Sequence, residues 1–243
     1  MTLLDFPRKL RFYLRQIARH KRVHPETFDL MQDLRLFPDW YTSWKSSPIS
    51  QERPWVTYRV IDFLEKVLTK EMRVCEFGVG GSTLFFAKRV NELISVEHDD
   101  SWAGKVVEEM KKRNYTHWEL KIVPPTPHVF PTPPDIADPD NFASSNENYA
   151  GMWFKDYACA IDNFPDGHFD VVQVDGRVRP SCAKRALNKI KKGGYLVVDD
   201  THRAHYSWVH TGLDAKEWKK FDGFGPGPHE WEFRQTCAWE KLT

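Results

Sequence analysis

Short apolar runs alternate with stretches of helical periodicity along most of the chain. The apolar runs predict strands at 73–77, 93–97, 120–123, 169–174 and 195–199. Stretches in which apolar residues recur every three or four positions predict helices at 56–68, 82–90, 102–114, 149–163 and 180–192. This alternation predicts an α/β domain with a parallel sheet and helices on both faces. Beyond residue 200 the pattern stops, and apolar runs at 231–233 and 236–239 predict two short strands, antiparallel at the sheet edge.

The first 25 residues differ from the rest in charge. They carry seven Lys/Arg against one acid, a net +6, which leaves −5 on the remainder of a chain whose total is +1. Apolar residues recur at helical spacing, so the segment predicts a basic amphipathic helix. It could contact anionic lipid, nucleic acid or an acidic glycan, or it could be a solvated helix docked on the core. Residues 37–54 predict an irregular connection, so we divide the chain into an N-terminal extension, 1–49, and a main domain, 50–243.

One connection is longer than strand–helix loops usually are. Residues 124–148 are rich in proline and show almost no periodicity. Loops of this length are usually functional or disordered. We expect a lid over a site, with a disordered insertion as the alternative.

Composition narrows the class of protein. Lys+Arg 35 against Asp+Glu 34 is too balanced for a protein whose main task is to hold a nucleic-acid backbone. A hydrophobic content of 41% can build a core. No apolar run is long enough for a membrane span, and the start of the chain does not read as a signal peptide. The four cysteines are scattered, which fits a reducing compartment, and we predict a cytoplasmic protein.

A glycine-rich turn lies between the first predicted strand and the next helix. Residues 74–83 read VCEFGVGGST. Glycines in such a turn let the backbone approach a ligand, and the N–H groups of the helix start face it. A phosphate-binding P-loop would need a lysine that is missing, and a dinucleotide turn would need glycine where Thr83 stands. The ligand class that remains is a nucleoside without pyrophosphate, such as S-adenosylmethionine.

An acid at the end of the second predicted strand supports a nucleoside. Glu97 follows Gly78 by 19 residues. In a doubly wound sheet this spacing places a carboxylate beside the glycine turn, where it can accept hydrogen bonds from both ribose hydroxyls. A surface charge is the alternative reading of a lone Glu.

Together these residues resemble the cofactor site of class I S-adenosylmethionine-dependent methyltransferases. The resemblance covers about residues 50–240 and extends to a subgroup of small members. The motifs that carry it are Pro54-Trp55, the turn at 76–83, Ser95-Val96-Glu97-His98-Asp99, Val174-Asp175-Gly176-Arg177 and the run at 193–200. It implies a Rossmann-like, seven-stranded, mainly parallel sheet whose last two strands form an antiparallel C-terminal hairpin.

The resemblance also implies roles within the cofactor site. Glu76 would lie near the methionine amino group, and Glu97 would hold the ribose. His98 or Asp99 would lie close to the adenine. The complete set of expected cofactor-binding residues is Glu76, Gly78, Gly80, Ser82, Glu97 and His98.

Acidic residues end the fourth and fifth predicted strands. Asp175 ends one strand, Asp199 and Asp200 end the next, and His202 follows. Ligands of open α/β sheets bind beyond the carboxyl ends of the strands, so we name these four as candidate catalytic residues. The acids could hold a divalent cation such as magnesium, as in catechol-type O-methyltransferases, although Asp200 stands where those enzymes have Asn. Alternatively, an acid or His202 acts as a general base, or the acids pair structurally with nearby arginines.

The sequence therefore predicts an S-adenosylmethionine-dependent methyltransferase that acts on an oxygen or nitrogen of a small molecule or glycan. A nucleic-acid methyltransferase is the main alternative, prompted by the basic first helix and ten tryptophans. A non-catalytic nucleoside-binding module is another, and a nicotinamide dehydrogenase is more distant because of Thr83. Substrate, metal requirement and oligomeric state stay open.

Overall fold

A seven-stranded sheet organises the protein. The computed structural model describes residues 5–243. The strands are β1 (Arg73–Phe77), β2 (Glu92–Glu97), β3 (Trp118–Ile122), β4 (Phe169–Val174), β5 (Ile190–Val198), β6 (Trp218–Asp222) and β7 (Cys237–Lys241). Their order is β3-β2-β1-β4-β5-β7-β6, with β1 to β5 parallel and β7 antiparallel to both neighbours. The predicted doubly wound, Rossmann-like fold with an antiparallel C-terminal hairpin is confirmed.

Helices cover both faces of this sheet. They are α1 (Asp5–Val23), α2 (Leu30–Arg35), α3 (Phe37–Ser43), α4 (Pro48–Gln51), α5 (Tyr58–Val67), α6 (Gly81–Ala87), α7 (Asp100–Lys112), α8 (Lys155–Cys159), α9 (Arg179–Ala186) and α10 (Trp208–Thr211). One hydrophobic cluster joins α1, α3 and α5 to α7 with one face, and the second joins α8 to α10 with the other. Successive strand residues alternate between the clusters, as in Val74 and Cys75.

The N-terminal helix packs into the first of these clusters. Tyr13 and Ile17 of α1 are buried together with Trp40 of α3 and Phe233 of the segment between β6 and β7. The boundary at residue 49 stays a prediction, but the residues before it share a core with the sheet. No helix within residues 5–243 has both the length and the apolar character that a membrane span requires.

The C-terminal hairpin uses a strand that the sequence reading missed. The apolar run at 231–233 is not a strand. Phe233 is instead buried beneath α1, and its N–H donates to Gln16 Oε1 at 3.2 Å. The partner of β7 is β6, an edge strand whose Lys219 and Lys220 are exposed. Charged residues are typical of such edges, and they hide the alternation that would have predicted it.

Three further predictions about secondary structure are wrong. The stretch 37–54 contains α3 and α4, each begun by a proline in its first turn. The predicted helix 149–163 shrinks to α8, because a 3₁₀ turn at Glu147–Tyr149 and a strand at Met152–Trp153 come first. The predicted helix 180–192 ends early, because its last residues already belong to β5.

The proline-rich segment is anchored along its length. Thr126–Pro127 pairs with Met152–Trp153 in a small antiparallel ladder, and His128 stacks on Trp153 with ring centroids 4.3 Å apart. Phe142 is buried, and its carbonyl accepts from the Phe154 N–H at 2.9 Å. The expectation that this segment acts as a lid stays a prediction.

Candidate cofactor and acceptor site

The turn after β1 needs glycine for two reasons. Gly78 has φ +95°, a conformation that other residues rarely adopt. A Cβ at this position would lie 3.0 Å from the backbone nitrogen of Gly176, which follows β4. The Gly78 N–H donates to the Val96 carbonyl at 2.8 Å, so the turn is also tied to β2. β1, β2 and β4 therefore meet at one point.

Glu76 supports this turn from the buried side of the sheet. Its Oε1 accepts hydrogen bonds from Thr83 Oγ1 at 2.6 Å and Ser95 Oγ at 2.7 Å. Thr83 Oγ1 in turn accepts from the Gly80 N–H, at the start of α6. Burial raises the pKa of Glu76 to about 7, although the hydroxyl hydrogen bonds oppose it. Its Oε2 is buried and, within the described chain, has no hydrogen-bond partner.

The pKa of Glu97 is shifted in the opposite direction from that of Glu76. Its carboxylate accepts from the N–H groups of Val79, His98 and Asp99 at 3.0, 2.6 and 2.9 Å. Nδ1 of His98 lies 2.5 Å from Oε1. Burial alone would raise the pKa of Glu97, but the His98 ring and the backbone N–H groups outweigh it and lower the pKa. Glu97 is therefore held as an anion.

A cavity of ≈ 300 Å³ opens beside Glu97. It is lined by Trp55, Gly78, Glu97, His98, Asp99, Trp102, Tyr149, Asp175, Gly176, Arg177 and Arg179. Of the predicted cofactor residues, Gly78, Glu97 and His98 line it. Gly80, Ser82 and Glu76 do not, and they form or support the turn behind it.

A second cavity, of ≈ 370 Å³, adjoins the first. Both are lined by Trp55, Asp175, Arg177 and Arg179. The remaining lining residues of the second cavity are Val56, Thr57, Asp199, Asp200, Arg203, Gly227, Glu230 and Arg234. The three predicted catalytic aspartates therefore meet in one cleft, and Asp175 stands where the two cavities join.

Arg179 holds the three aspartates together. Its guanidinium lies 3.0 Å from Asp175 Oδ1, 3.2 Å from Asp199 Oδ2 and 3.1 Å from Asp200 Oδ2. Arg203 and Arg234 also pair with Asp200, at 2.6 and 3.1 Å. Arginines offset the repulsion among these acids, which was one of the readings left open by the sequence.

The three acids differ in proton affinity. Burial, followed by the charge of Asp199, raises the pKa of Asp175 well above its usual range. Burial also raises the pKa of Asp199, whose Oδ1 accepts from Thr236 Oγ1 at 2.5 Å. Burial acts on Asp200 too, but Arg179, Arg203 and Arg234 outweigh it and lower its pKa. Asp200 is thus the fixed anion, while Asp175 and Asp199 compete for a proton.

Two residues with positive φ lie in or next to this cluster. Val178, just before α9, has φ 44°, and Asp200 has φ 56°. A β-branched residue with positive φ is uncommon and costly. The strain at Val178 lies directly before Arg179, and such strain concentrates at functional sites.

His202 lies apart from the cleft. It is exposed and lines neither cavity, and its Nδ1 accepts from the Gln235 N–H at 3.4 Å. Although the side chain is accessible, partial desolvation and nearby arginines lower the pKa of His202, and the charge of Asp200 opposes this shift. Its catalytic role stays a prediction, with no contact in the cleft to support it.

Several cleft residues were not singled out from the sequence. Glu230, Arg234 and Thr236 lie in the segment between β6 and β7, and Arg179 begins α9 one residue before the predicted helix 180–192. Trp55 belongs to the motif Pro54-Trp55, but the sequence does not place it in the acidic cleft. The run Gly225-Pro226-Gly227-Pro228 was the one available signal, because it interrupts the secondary structure next to Glu230.

The expectation of magnesium is not supported. In residues 5–243 the ligand atoms that converge closely enough for a metal belong to His24, Glu26 and Asp222, not to the three aspartates. Within that trio, both Asp222 oxygens already accept hydrogen bonds. In the cleft the guanidinium of Arg179 stands among the carboxylates where an ion would have to bind.

No family model and no curated protein matches the chain. Among solved structures, it is similar to a candidate methyltransferase from Streptococcus mutans in complex with SAH, with TM-score 0.52 and 13% identity over 74% of this chain and 94% of that one. It is also similar to an rRNA methylase from Streptococcus thermophilus, with TM-score 0.50 and 16% identity over 75% and 93%. The fold is that of the class I S-adenosylmethionine-dependent methyltransferases, and the resemblance stated from the motifs is confirmed at that level.

Proposed function

We propose that the protein is an S-adenosylmethionine-dependent methyltransferase acting on an oxygen or nitrogen of a small molecule or glycan. One observation carries this proposal. Two cavities meet at Asp175, one beside the anionic Glu97 and the other lined by acids and arginines. Methyl transfer needs two such compartments, because donor and acceptor must face each other in line.

The first cavity fits the cofactor. Glu97 offers a fixed carboxylate to two ribose hydroxyls, and the backbone N–H groups of Val79 and Asp99 that donate to it already orient it. A Cβ on Gly80 would meet only Trp102, at 4.0 Å, so the turn leaves room for a ligand to approach the helix start. The volume lies at the lower end of the range for small-molecule sites. When bound, S-adenosylmethionine supplies an electrophilic methyl group.

The second cavity fits the acceptor. Asp175 is the acid common to both cavities, and its raised pKa suits a group that takes a proton from an acceptor hydroxyl. Arg179 fixes its position, and Asp199 takes part in the same titration. Trp55 offers a half-exposed aromatic face to both compartments.

Calorimetry with S-adenosylhomocysteine tests the cofactor half of the proposal. We expect the wild-type chain to bind it and Glu97→Ala to bind about tenfold to a hundredfold more weakly, because a hydrogen bond to a charged group contributes about 1.5–3 kcal/mol. Glu97→Gln keeps the size of the side chain and serves if the alanine variant unfolds.

Glu92→Ala is the matched control. Glu92 lies at the opposite end of β2 and outside the cavity, so its loss is expected to leave affinity unchanged. A wild-type chain that does not bind the nucleoside at millimolar concentration would refute the proposal. Equal affinities of the two alanine variants would refute the ribose assignment alone.

A further inference from the structure

The outward face of α1 is a stripe of arginines. Arg8, Arg11, Arg15 and Arg22 are exposed and spaced three, four and seven residues apart, opposite the buried Tyr13. None of the four forms an ion pair with any part of the chain that the structure describes. Exposed arginines elsewhere in the fold, such as Arg35 with Asp62, do have acidic partners. The stripe is therefore free to meet an external anion.

Apolar side chains lie on both sides of this stripe. Leu14 lies beside Arg11 and Arg15 and is 46% exposed, in a shallow depression that also contains Leu10 and Ala18. On the other side of the stripe, Trp231 is 41% exposed and packs edge-on against Phe12 in a groove of ≈ 530 Å³. Arginine, leucine and tryptophan on one exposed face are the composition of helices that lie at a membrane interface.

We propose that α1 binds the surface of an anionic lipid bilayer, lying flat with its arginine stripe on the headgroups. The arginines would pair with lipid phosphates, and Leu14 and Trp231 would reach the boundary of the acyl chains. A helix of 19 residues is about 28 Å long, which lets all four arginines contact one plane. The remainder of the chain carries −5, so an anionic surface repels it and selects this one orientation.

Nucleic acid fits this face less well. A phosphodiester backbone would also pair with the arginines, but Leu10 and Leu14, which flank the stripe, cannot stack on bases or donate hydrogen bonds. The exposed ring of Trp231 beside the stripe already packs against Phe12, with ring centroids 5.4 Å apart.

The cleft opens close to this face. Arg19 of α1 donates from Nη1 to the carbonyl of Phe233 at 3.2 Å, and the next residue, Arg234, lines the acceptor cavity. A chain adsorbed through α1 therefore presents the acceptor cavity near the headgroup layer. The membrane proposal does not depend on methyl transfer and can be tested without a substrate.

Co-sedimentation with vesicles provides the test. The probes are phosphatidylcholine vesicles with and without about one third phosphatidylglycerol, at physiological salt. We expect the full chain to sediment with the anionic vesicles and not with the neutral ones. The double variant Arg11→Glu/Arg15→Glu is expected to lose at least about tenfold in partitioning, at about 1 kcal/mol per basic residue. Leu14→Ser is expected to lose a few-fold, because it removes an inserted apolar side chain without changing charge.

The matched control is Lys66→Glu/Lys111→Glu. It makes the same charge change at exposed positions on α5 and α7 and is expected to bind like wild type. Unchanged far-ultraviolet circular dichroism and an unchanged urea midpoint in the Arg11/Arg15 variant verify its fold. Equal sedimentation of wild type with neutral and anionic vesicles overturns the proposal, and so does equal loss in the two double variants. It is also overturned if wild type ignores vesicles but binds a single-stranded RNA of about 20 nucleotides through Arg11 and Arg15.

Discussion

The two compartments of the cleft hold their carboxylates in different ways. On the cofactor side, Glu97 is fixed by backbone N–H groups and the adjacent His98, and Glu76 by two hydroxyls. On the acceptor side, Asp175, Asp199 and Asp200 surround Arg179. The first arrangement follows from local backbone geometry, whereas the second depends on charged side chains contributed by distant elements.

Under the proposed function, this difference separates cofactor binding from acid–base chemistry. Glu97 has a lowered pKa and stays charged over the working range, which suits a constant ligand anchor. Burial raises the pKa of both Asp175 and Asp199, which suits an acid–base step. Substitutions on one side should therefore change affinity, and substitutions on the other should change turnover and stability.

The largest effect is expected at the junction of the two cavities. Asp175→Asn should lower turnover by about 10²–10⁴-fold, because it removes the proposed base, and should leave S-adenosylhomocysteine affinity within about tenfold. In the wild type, turnover should rise with pH through the raised pKa of Asp175, since only the deprotonated form accepts a proton. The turnover of Asp175→Asn and the pH profile of the wild type are both measured with an acceptor identified from a substrate panel.

Asp166→Asn, an exposed acid paired with Lys189, is the control for that experiment. Asp199→Asn should behave like Asp175→Asn. Normal turnover in both cleft variants would mean that these acids are structural.

Arg179→Met should cost about 3–5 kcal/mol of unfolding free energy at neutral pH, because it leaves buried carboxylates without their shared cation. The loss should shrink at lower pH, where the raised pKa values of Asp175 and Asp199 let them hold protons. Urea denaturation at two pH values measures this. Arg185→Met on the same helix removes a surface pair with Asp162 and an exposed contact with the Cys159 sulfur, and it should cost under about 1 kcal/mol. Equal losses of unfolding free energy in the two variants would show that Arg179 is not the main stabilising partner of the three aspartates.

Glu76→Gln should alter the pH dependence of stability on the cofactor side. Between its ordinary pKa of 4.5 and about 7, the unfolded chain ionises Glu76 while the folded chain keeps the proton. Ionisation therefore favours unfolding as pH rises through this window, by at most about 3 kcal/mol. The Glu76→Gln variant should lack this fall in the free energy of unfolding. Its stability relative to wild type should therefore be higher at pH 8 than at pH 5. A pH-independent difference between the two proteins would contradict the raised pKa.

The smallest effect is expected at the end of the proline-rich segment. The Tyr149 hydroxyl lies 2.9 Å from His98 Nε2 across the cofactor cavity. Tyr149→Phe should weaken S-adenosylhomocysteine binding a few-fold, equivalent to about 0.5–1.5 kcal/mol, by calorimetry. Tyr115→Phe, outside the cavity, is the control. Unchanged affinity in Tyr149→Phe, together with ligand-independent proteolysis of residues 124–148, would argue against a lid.

The cofactor side could be predicted from the sequence because its determinants are close together in the chain. A strand, a glycine turn and an acid 19 residues further on fix the geometry through the backbone, and Gly78 and Glu97 lie where the spacing placed them. β1 and β4 were predicted to the residue, since both are short, mostly apolar runs that are buried on both faces.

The acceptor side could be predicted only in part. Strand order places Asp175 and Asp199 together, but nothing local reveals that Arg179 turns inward, because that depends on Val178 adopting φ 44°. The contributions of Arg234 and Thr236 depend on how the segment after β6 packs under α1 and α3. That packing is a tertiary contact over about 200 residues, which periodicity does not encode.

The segment between β6 and β7 is attached to the N-terminal helices at four points. The Phe233 N–H donates to Gln16, the Phe233 carbonyl accepts from Arg19, Trp40 Nε1 donates to the Glu230 carbonyl, and the His229 N–H donates to Ser43. The wall of the acceptor cavity that Gly227, Glu230 and Arg234 form is thus held in place by the N-terminal helices. In a chimera, transplanting residues 223–236 alone would carry the side chains of that wall without their scaffold. A change of acceptor by recombination would require exchanging the first 44 residues and this segment together, with the cofactor half left in place.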